Sequence, residues 1–299
     1  MRPPRPSAPA AALLGALLAA LAGCSADRPL NPSFPLTLAA ARDAWRAMDA
    51  QPRTPPRPVV VIGGILDSPA RVQRLAARLR ALTADDAVIV GVSVRHAPSF
   101  EAALTALHAA LRQHLSTPPG AGAPQVDVVG VSMGGLVARY AAMDPARRAA
   151  LRPAAQPAGA PPALAIRRLF TLATPHRGAR LARLPAPQPR VRDMRAGSRF
   201  LRALDADLAS QTAAGLRLYP YARRGDAVVG SANSAPPGRH PLWVTNQPFQ
   251  FAHSQIDADE RILVDIARRL RGEPPYTSLP AAPLPPPARA AWPTARHPR

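Results

Sequence analysis

The chain has 299 residues, of which 47% are hydrophobic, so it can bury the core of one large domain or two small ones and is not a disordered chain. The formal net charge is +20, and all 38 basic residues are arginine because the sequence contains no lysine. The arginines are scattered and are not interleaved with aromatic residues, so we interpret them as solvated side chains with a weak attraction to anionic lipid surfaces and expect no nucleic-acid partner.

The N-terminus has the pattern of an export signal. Two arginines precede an apolar run at residues 8–23, which is shorter than the about 20 residues that a membrane-spanning helix needs. The run ends Leu-Ala-Gly-Cys at Cys24, the sole cysteine, and this ending resembles the lipobox of bacterial lipoproteins, in which the cysteine is lipidated. The resemblance implies a signal peptide at 1–23 and a lipid anchor at Cys24, and the serine at position 25 favours the outer membrane. A plain secretory signal with a chance cysteine is the alternative.

The rest of the chain has the pattern of a parallel α/β domain between two Pro-rich segments. Residues 24–57 contain one short predicted helix, and we interpret them as a tether plus an edge element. From 58 to 272, unbroken apolar strands alternate with amphipathic helices, which is typical of a mostly parallel sheet with helices on both faces. The predicted strands are 58–62, 87–92, 126–131, 166–173, 216–221 and 242–245. The Pro-rich tail, 273–299, is predicted to be extended or disordered.

The sequence around Ser132 predicts a strand, a sharp turn and a helix. An apolar run leads into Gly130-x-Ser132-x-Gly134 and then into a helical pattern. This is the nucleophile-elbow pattern, in which a serine hydroxyl projects from a tight turn and glycines let the strand and helix backbones nearly touch. We therefore expect Ser132 to have a strained backbone conformation. An ordinary Gly/Ser turn before a helix is the alternative.

A nucleophilic serine needs a base within hydrogen-bond reach and a carboxylate that orients the base. Asp226 and His253 each follow a predicted strand, which places both near the edge where ligands bind in open α/β sheets. The competing bases are His176, His240 and His297, and the competing acids are Asp193, Asp205 and Asp207. His240 precedes its strand, His297 lies in the tail, and the three aspartates lie in a segment without a predicted strand.

The reaction also needs hydrogen-bond donors for the oxyanion that forms on the substrate. One predicted donor is the backbone N–H of Met133, directly after the nucleophile. The other is the backbone N–H of Ile65, in the loop after the first core strand, where Gly63 and Gly64 allow close approach. We find no pattern for a metal site or a cofactor.

Six segments resemble those of the α/β-hydrolase lipases, especially the bacterial triacylglycerol lipases and the inositol-deacylase-like group. In chain order they are V-V-V-I-G-G-I-L, G-V-S-M-G-G-L-V-A-R-Y, L-A-T-P-H-R-G, D-M-R-A-G-S-R-F-L-R-A-L, G-D-A-V-V and H-S-Q-I. The resemblance implies the α/β-hydrolase fold and a triad of Ser132, Asp226 and His253. Because the family order is Ser, acid, His, His176 does not fit as the base.

The resemblance also bears on the pocket. It implies a wall formed by Gly64, Thr174, Pro175 and His176 and a cap formed by the following segment. The family usually has His-Gly before the first oxyanion donor, whereas this chain has Gly63, so we predict a less rigidly held loop.

The segment 177–213 is therefore a candidate cap over the pocket. Phe200, Leu201, Leu204 and Leu208 are spaced to form one apolar helical face, which must be buried. A movable cap and a rigid insertion whose apolar face is core are both compatible with this spacing.

These patterns together predict a serine ester hydrolase of the lipase type. We expect carboxylic esters, lipid esters above all, as substrates and a membrane contact through the lipid anchor. The alternatives are an acyltransferase on the same fold and a non-catalytic lipid-anchored binding protein.

Overall fold

A computed structural model describes residues 31–115, 124–151 and 161–286 of the chain. Within these residues the centre is a six-stranded sheet. Its strands are β1 (Val59–Ile62), β2 (Ile89–Val92), β3 (Val126–Val131), β4 (Ile166–Leu172), β5 (Arg217–Arg223) and β6 (Leu242–Val244). The strand order is β2-β1-β3-β4-β5-β6, and each neighbouring pair is parallel.

Helices cover both faces of the sheet. They are α1 (Leu38–Asp49), α2 (Pro69–Ala81), α3 (Phe100–His114), α4 (Met133–Ala142), α5 (Pro145–Leu151), α6 (Pro189–Asp193), α7 (Arg199–Ala213) and α8 (Glu260–Leu270). Side chains of α1, α2 and α8 pack with Val59 and Val61 of β1, whereas those of α3, α4 and α7 pack with Val60 and Ile62. The alternation along β1 follows from the two-residue period of a strand. The predicted α/β class is confirmed.

The sequence explains where two of these helices begin. Ser68 accepts a hydrogen bond from the backbone N–H of Arg71 at the start of α2, and Ser99 accepts one from Ala102 at the start of α3. Such N-caps contribute typically about 1 kcal/mol each. Among the helices of the described residues, none is both long and apolar enough to cross a membrane.

The segments on either side of the predicted domain pack against it. Asn31 donates through Nδ2 to the carbonyl of Trp243 at 3.0 Å, and Phe34 makes an edge contact with the Tyr221 ring. After α8, the Trp243 Nε1–H donates to the carbonyl of Ala282 at 3.1 Å. Residues on both sides of the domain predicted at 58–272 thus pack against β5 and β6. Cys24 and the last residues of the tail lie outside the described residues.

Several arginines are buried, which corrects their interpretation as solvated side chains. They are Arg139, Arg148, Arg190, Arg223, Arg261 and Arg271. Arg190 shows the reason, because its Nη1 lies 2.6 to 3.4 Å from three main-chain carbonyl oxygens in the loop after β2. Buried loop carbonyls need donors, and a guanidinium supplies five in a rigid fork.

Candidate active site

The sheet order places the candidate residues at one edge. β1 and β3 are neighbours, yet the helices that follow them pack on opposite faces, which opens a crevice at their carboxyl ends. Gly64 and Ile65 lie in the loop after β1, and Ser132 lies directly after β3. Asp226 follows β5 and His253 follows β6. The crevice is thus where five predicted residues converge.

Ser132 has φ +50° and ψ −120°, a conformation that few non-glycine residues adopt. Its backbone N–H donates to the Leu172 carbonyl at 2.8 Å, and its carbonyl accepts from the Gly135 N–H at 3.2 Å. Strain of this kind costs roughly 1–3 kcal/mol and persists where the surroundings over-determine it. The expected strained conformation is confirmed.

The glycines of the elbow have no room for a side chain. A Cβ on Gly134 would lie 2.2 Å from the Ile62 carbonyl oxygen, and a Cβ on Gly130 would lie 2.6 Å from the Gly135 Cα. The strand and helix backbones therefore approach as the sequence pattern predicts. A Cβ on Gly64 would lie 3.0 Å from the Ser132 Cβ, so the loop after β1 lies directly against the serine.

The loop after β1 is hydrogen-bonded to Asp67, and a loop less rigidly held than in the resembled family stays a prediction. The Gly64 N–H donates to Asp67 Oδ2 at 2.6 Å, and the main-chain carbonyl of Asp67 accepts from the Ser93 hydroxyl at 2.9 Å. In the described part of the chain, no protein acceptor takes the backbone N–H of Ile65 or of Met133. Both groups are free to donate to a bound oxyanion.

Asp226 and His253 form a hydrogen-bonded pair. His253 Nδ1 lies 2.9 Å from Asp226 Oδ2, while Asp226 Oδ1 accepts the backbone N–H groups of Val228 and Val229 at 2.9 Å each. Because a carboxylate can only accept, Nδ1 of the imidazole carries a hydrogen, and in the neutral ring Nε2 is then the nitrogen that can accept a proton. The Asp226 side chain is 1% exposed and the His253 side chain 20% exposed, so the ring bridges the interior and the cavity.

The competing residues lie elsewhere. His240 is exposed just before β6. Asp205 pairs with Arg139 at 3.1 Å, Asp207 pairs with Arg147 at 2.5 Å, and Asp193 ends α6. His297 lies outside the described residues.

His176 does not line the pocket, which corrects its assignment to the wall. Arg139 Nη1 lies 3.1 Å from His176 Nδ1, and His176 Nε2 lies 2.9 Å from Thr171 Oγ1. Since a guanidinium only donates, Nδ1 is the acceptor and the Nε2–H donates to the hydroxyl. Complete burial lowers the pKa of His176 well below its usual value, and repulsion by Arg139 lowers it further. His176 is therefore a neutral, buried ring that contacts Arg139 of α4, the helix that follows the elbow serine.

The other three residues predicted to form the pocket wall are Gly64, Thr174 and Pro175, and not all of them reach the cavity. Gly64 and Pro175 line the cavity, whereas Thr174 is fully buried and packs on the first turn of α4. A Cβ on Gly135 would lie 2.1 Å from the Thr174 hydroxyl oxygen, which shows how closely the two segments approach.

The crevice contains a mostly apolar cavity of about 430 Å³. Ser132 and His253 both line it, and its apolar walls include Ile65, Ala179, Ala182, Val191, Met194, Val228 and Val229. Leu66 and Phe251 also line it and are 79% and 82% exposed, so they form part of its rim. Volumes of this size are typical of small-ligand sites.

The segment 177–213 has two halves with different surroundings. Residues 177–198 contribute Ala179, Ala182 and Met194 to the cavity wall. The second half, α7, packs into the core, where the Phe200 ring stacks on Phe100 with centroids 4.1 Å apart. The apolar face that motivated a cap is therefore core, and only the first half borders the cavity. The movement of residues 177–198 as a cap stays a prediction.

Three residues of the site were missed by sequence reasoning. Arg71 contacts Asp67 and Asp257, and its side chain lines the cavity. The sequence places Arg71 in the first turn of α2 but gives no signal that this turn faces the loop carrying His253. The hydrogen bond with Asp257 raises the pKa of the Arg71 guanidinium, and the charges of Asp257 and Asp67 act in the same direction.

No protein-family model and no curated protein sequence matches this chain. Among solved structures, a phospholipase from Legionella pneumophila, PlaB in complex with thio-NAD, superposes with a TM-score of 0.51 at 12% identity, over 71% of this chain and 58% of the phospholipase. A mature lipase from Bacillus licheniformis superposes with a TM-score of 0.49 at 15% identity, over 74% of this chain and 94% of the lipase.

This chain thus spans less than two thirds of the Legionella phospholipase. At such identities the likeness concerns the fold alone. The chain has the α/β-hydrolase fold, with a parallel sheet and helices on both faces, as the sequence predicts.

Proposed function

We propose that this protein is a serine ester hydrolase of the lipase type, with Ser132 as nucleophile, His253 as base and Asp226 as the group that orients the base. The observation that carries the proposal is that a serine with a strained backbone and an imidazole paired with an aspartate line the same cavity. A serine hydroxyl alone is a poor nucleophile at neutral pH, so the pairing supplies what the chemistry lacks.

In the proposed reaction the Ser132 Oγ attacks the acyl carbonyl while its proton passes to His253 Nε2. The carbonyl oxygen becomes an oxyanion and accepts from the free N–H groups of Ile65 and Met133. The tetrahedral intermediate breaks the bond to the alcohol oxygen, which takes the proton from His253, and an acyl-serine remains. Water then attacks this ester, giving its proton to His253, and the Ser132 oxygen leaves with that proton. Each oxyanion donor contributes about 3 kcal/mol to lowering the barrier.

The cavity supports an apolar acyl group as part of the substrate. Its wall contains alanine, valine and methionine side chains and few polar groups besides those of the proposed chemistry. The rim carries the exposed side chains of Leu66 and Phe251, and the fully exposed Phe249 belongs to the same loop as Phe251. Exposed apolar side chains around a concave site are typical of surfaces that contact a membrane, another protein or an apolar ligand. We therefore propose lipid esters as the substrate class.

The proposed test uses p-nitrophenyl esters of increasing chain length, with wild type and Ser132→Ala. Turnover by Ser132→Ala should fall by about 10⁴ to 10⁶ while its melting temperature is retained. Adding a small alcohol during turnover separates hydrolysis from acyl transfer, since a transferase would form the new ester in preference to the free acid. Turnover retained by purified Ser132→Ala would refute the proposed nucleophile.

We propose further that lipidation of Cys24 anchors the mature protein in the bacterial envelope, on the periplasmic side of the outer membrane. Support comes from the apolar run at 8–23 and the lipobox-like ending before the sole cysteine. One acyl chain binds a membrane only marginally, whereas several chains hold it firmly. In cells labelled with a palmitate analogue, wild type should carry the label and fractionate with membranes, and Cys24→Ser should do neither. Equal labelling of the two proteins would exclude this anchor.

A further inference from the structure

Arg71 connects the two loops that carry the polar atoms of the site. It lies in the first turn of α2, and its side chain is 28% exposed at the edge of the cavity. Its guanidinium contacts Asp67 in the loop after β1 and Ser254 and Asp257 in the loop after β6.

The first connection reaches the loop after β1, which carries the predicted oxyanion donor Ile65. Arg71 Nε lies 3.2 Å from Asp67 Oδ1, while the other carboxylate oxygen of Asp67 accepts the Gly64 N–H at 2.6 Å. Gly64 directly precedes Ile65, whose N–H is free to donate. The guanidinium therefore places its charge beside a carboxylate that in turn accepts a hydrogen bond from the peptide next to the predicted donor.

The second connection reaches the loop of the base. Arg71 Nε donates to Asp257 Oδ2 and Nη2 to Asp257 Oδ1, both at 2.8 Å, which is the bidentate arrangement of a guanidinium on a carboxylate. Nη2 also donates to the carbonyl of Ser254, the residue after His253. A fork of donors in one plane can hold these acceptors together, whereas the ammonium of a lysine is a point charge without that geometry.

We propose that Arg71 is a positioning residue, which sets the place of the Ile65 N–H and of the His253 ring relative to each other through one guanidinium. The proposal rests on the proposed function. Two carboxylates already compensate its charge, so an anionic group of a substrate is not the partner that this arrangement favours. A displacement of about 1 Å at a reacting group can lower the rate 10²-fold.

The test compares Arg71→Lys with Arg74→Lys, a matched change on the exposed side of the same helix. We expect kcat of Arg71→Lys to fall by about tenfold to hundredfold with KM changed less than about twofold, since positioning acts in the transition state. Arg74→Lys should keep both constants. A loss confined to KM for anionic substrates would overturn the proposal in favour of substrate binding.

Two variants test the two connections separately. Asp67→Asn and Asp257→Asn keep the side-chain shape but remove one charge each, and each should lower kcat. The double variant should lower kcat no further than Arg71→Ala does.

Chemical rescue distinguishes lost positioning from unfolding. Guanidinium ion at low millimolar concentration should restore part of the kcat of Arg71→Ala and should leave the kcat of Arg74→Ala unchanged. Absence of rescue in an Arg71→Ala protein that melts near the wild-type temperature would overturn the proposal.

The proposed function and this inference fail in different ways. If wild type does not react with a fluorophosphonate at Ser132, the proposed function fails and Arg71 has no reaction to support. If wild type reacts and Arg71→Lys reacts at the same second-order rate, only the inference fails.

Discussion

Arg71 and Arg139 are the same residue type in two different surroundings. Arg71 lies on the cavity side of the site, here called the front, and Arg139 lies on the far side of the elbow from the cavity, here called the back. Arg71 lies beside the cavity with two carboxylates as partners. Arg139 is fully buried behind the elbow, where it meets Asp205, the main-chain carbonyl of Leu204 and the neutral His176. The front arginine joins the loops that carry the proposed catalytic groups, and the back arginine joins α4, α7 and the segment after β4.

The two surroundings also affect the charges differently. Burial lowers the pKa of Arg139, and Asp205 only opposes that effect, whereas the hydrogen bond with Asp257 raises the pKa of Arg71. We therefore expect substitutions on the cavity side to change rate constants and substitutions behind the elbow to change the free energy of unfolding.

The largest expected contrast is between two aspartates. Asp226→Asn should lower kcat by about 10⁴, because the imidazole loses the partner that sets its tautomer. Asp205→Asn removes a charged partner of Arg139 and should lower the free energy of unfolding by about 1–2 kcal/mol while kcat is kept. Steady-state kinetics and urea denaturation of both variants measure the contrast. Loss of turnover in Asp205→Asn at unchanged stability would move the acid to the back of the site.

A second contrast is between two phenylalanines. Phe200→Ala removes a ring stacked on Phe100 in the core and should lower the free energy of unfolding by about 3–5 kcal/mol. Phe251→Ala removes a rim side chain that is 82% exposed and should change stability by less than about 0.5 kcal/mol. Turnover of a long-chain ester at a lipid interface should fall for Phe251→Ala, and turnover of a short soluble ester should not. Equal turnover of both esters by wild type and Phe251→Ala would show that the rim has no part in meeting lipid.

A smaller effect should appear in the pH dependence of stability. The folded pKa of His176 is depressed, so stability is complete above the ordinary histidine pKa of about 6.5 and decreases as the pH falls below it, because the unfolded chain then binds a proton that the folded chain excludes. His176→Gln should be less stable at pH 8 but should lose less further stability between pH 7 and 5. Urea titrations at several pH values give both slopes, and parallel slopes for the two proteins would mean that His176 is not the group responsible.

Much of the fold and part of the site could be predicted because they depend on local patterns. Unbroken β-branched runs form parallel strands that are buried on both faces, and Ser68 and Ser99 cap helices through neighbours three residues away. Asp226 and His253 follow strands, and parallel strands end at one edge, so topology alone brings them together. The prediction of this pair depended only on the positions of Asp226 and His253 shortly after two predicted strands.

The rest depends on contacts between distant segments. Arg71 and Asp257 are 186 positions apart, and no local pattern shows that the first turn of α2 meets the loop after β6. The buried arginines likewise depend on which loop carbonyls the packing encloses. The apolar stripe with Phe200 was ambiguous because a cap helix and a core helix have the same spacing of apolar residues. The packing of Phe200 against α3 and α4 shows that the stripe belongs to the core.

The most direct measurement of the proposed chemistry is fluorophosphonate labelling followed by peptide mass spectrometry. The proposal predicts a single adduct, on the peptide containing Ser132, that is absent in Ser132→Ala and forms much more slowly in His253→Gln and Asp226→Asn than in Asp205→Asn. An adduct on another residue, or equal labelling rates in all folded variants, would contradict the assignment of Ser132, His253 and Asp226.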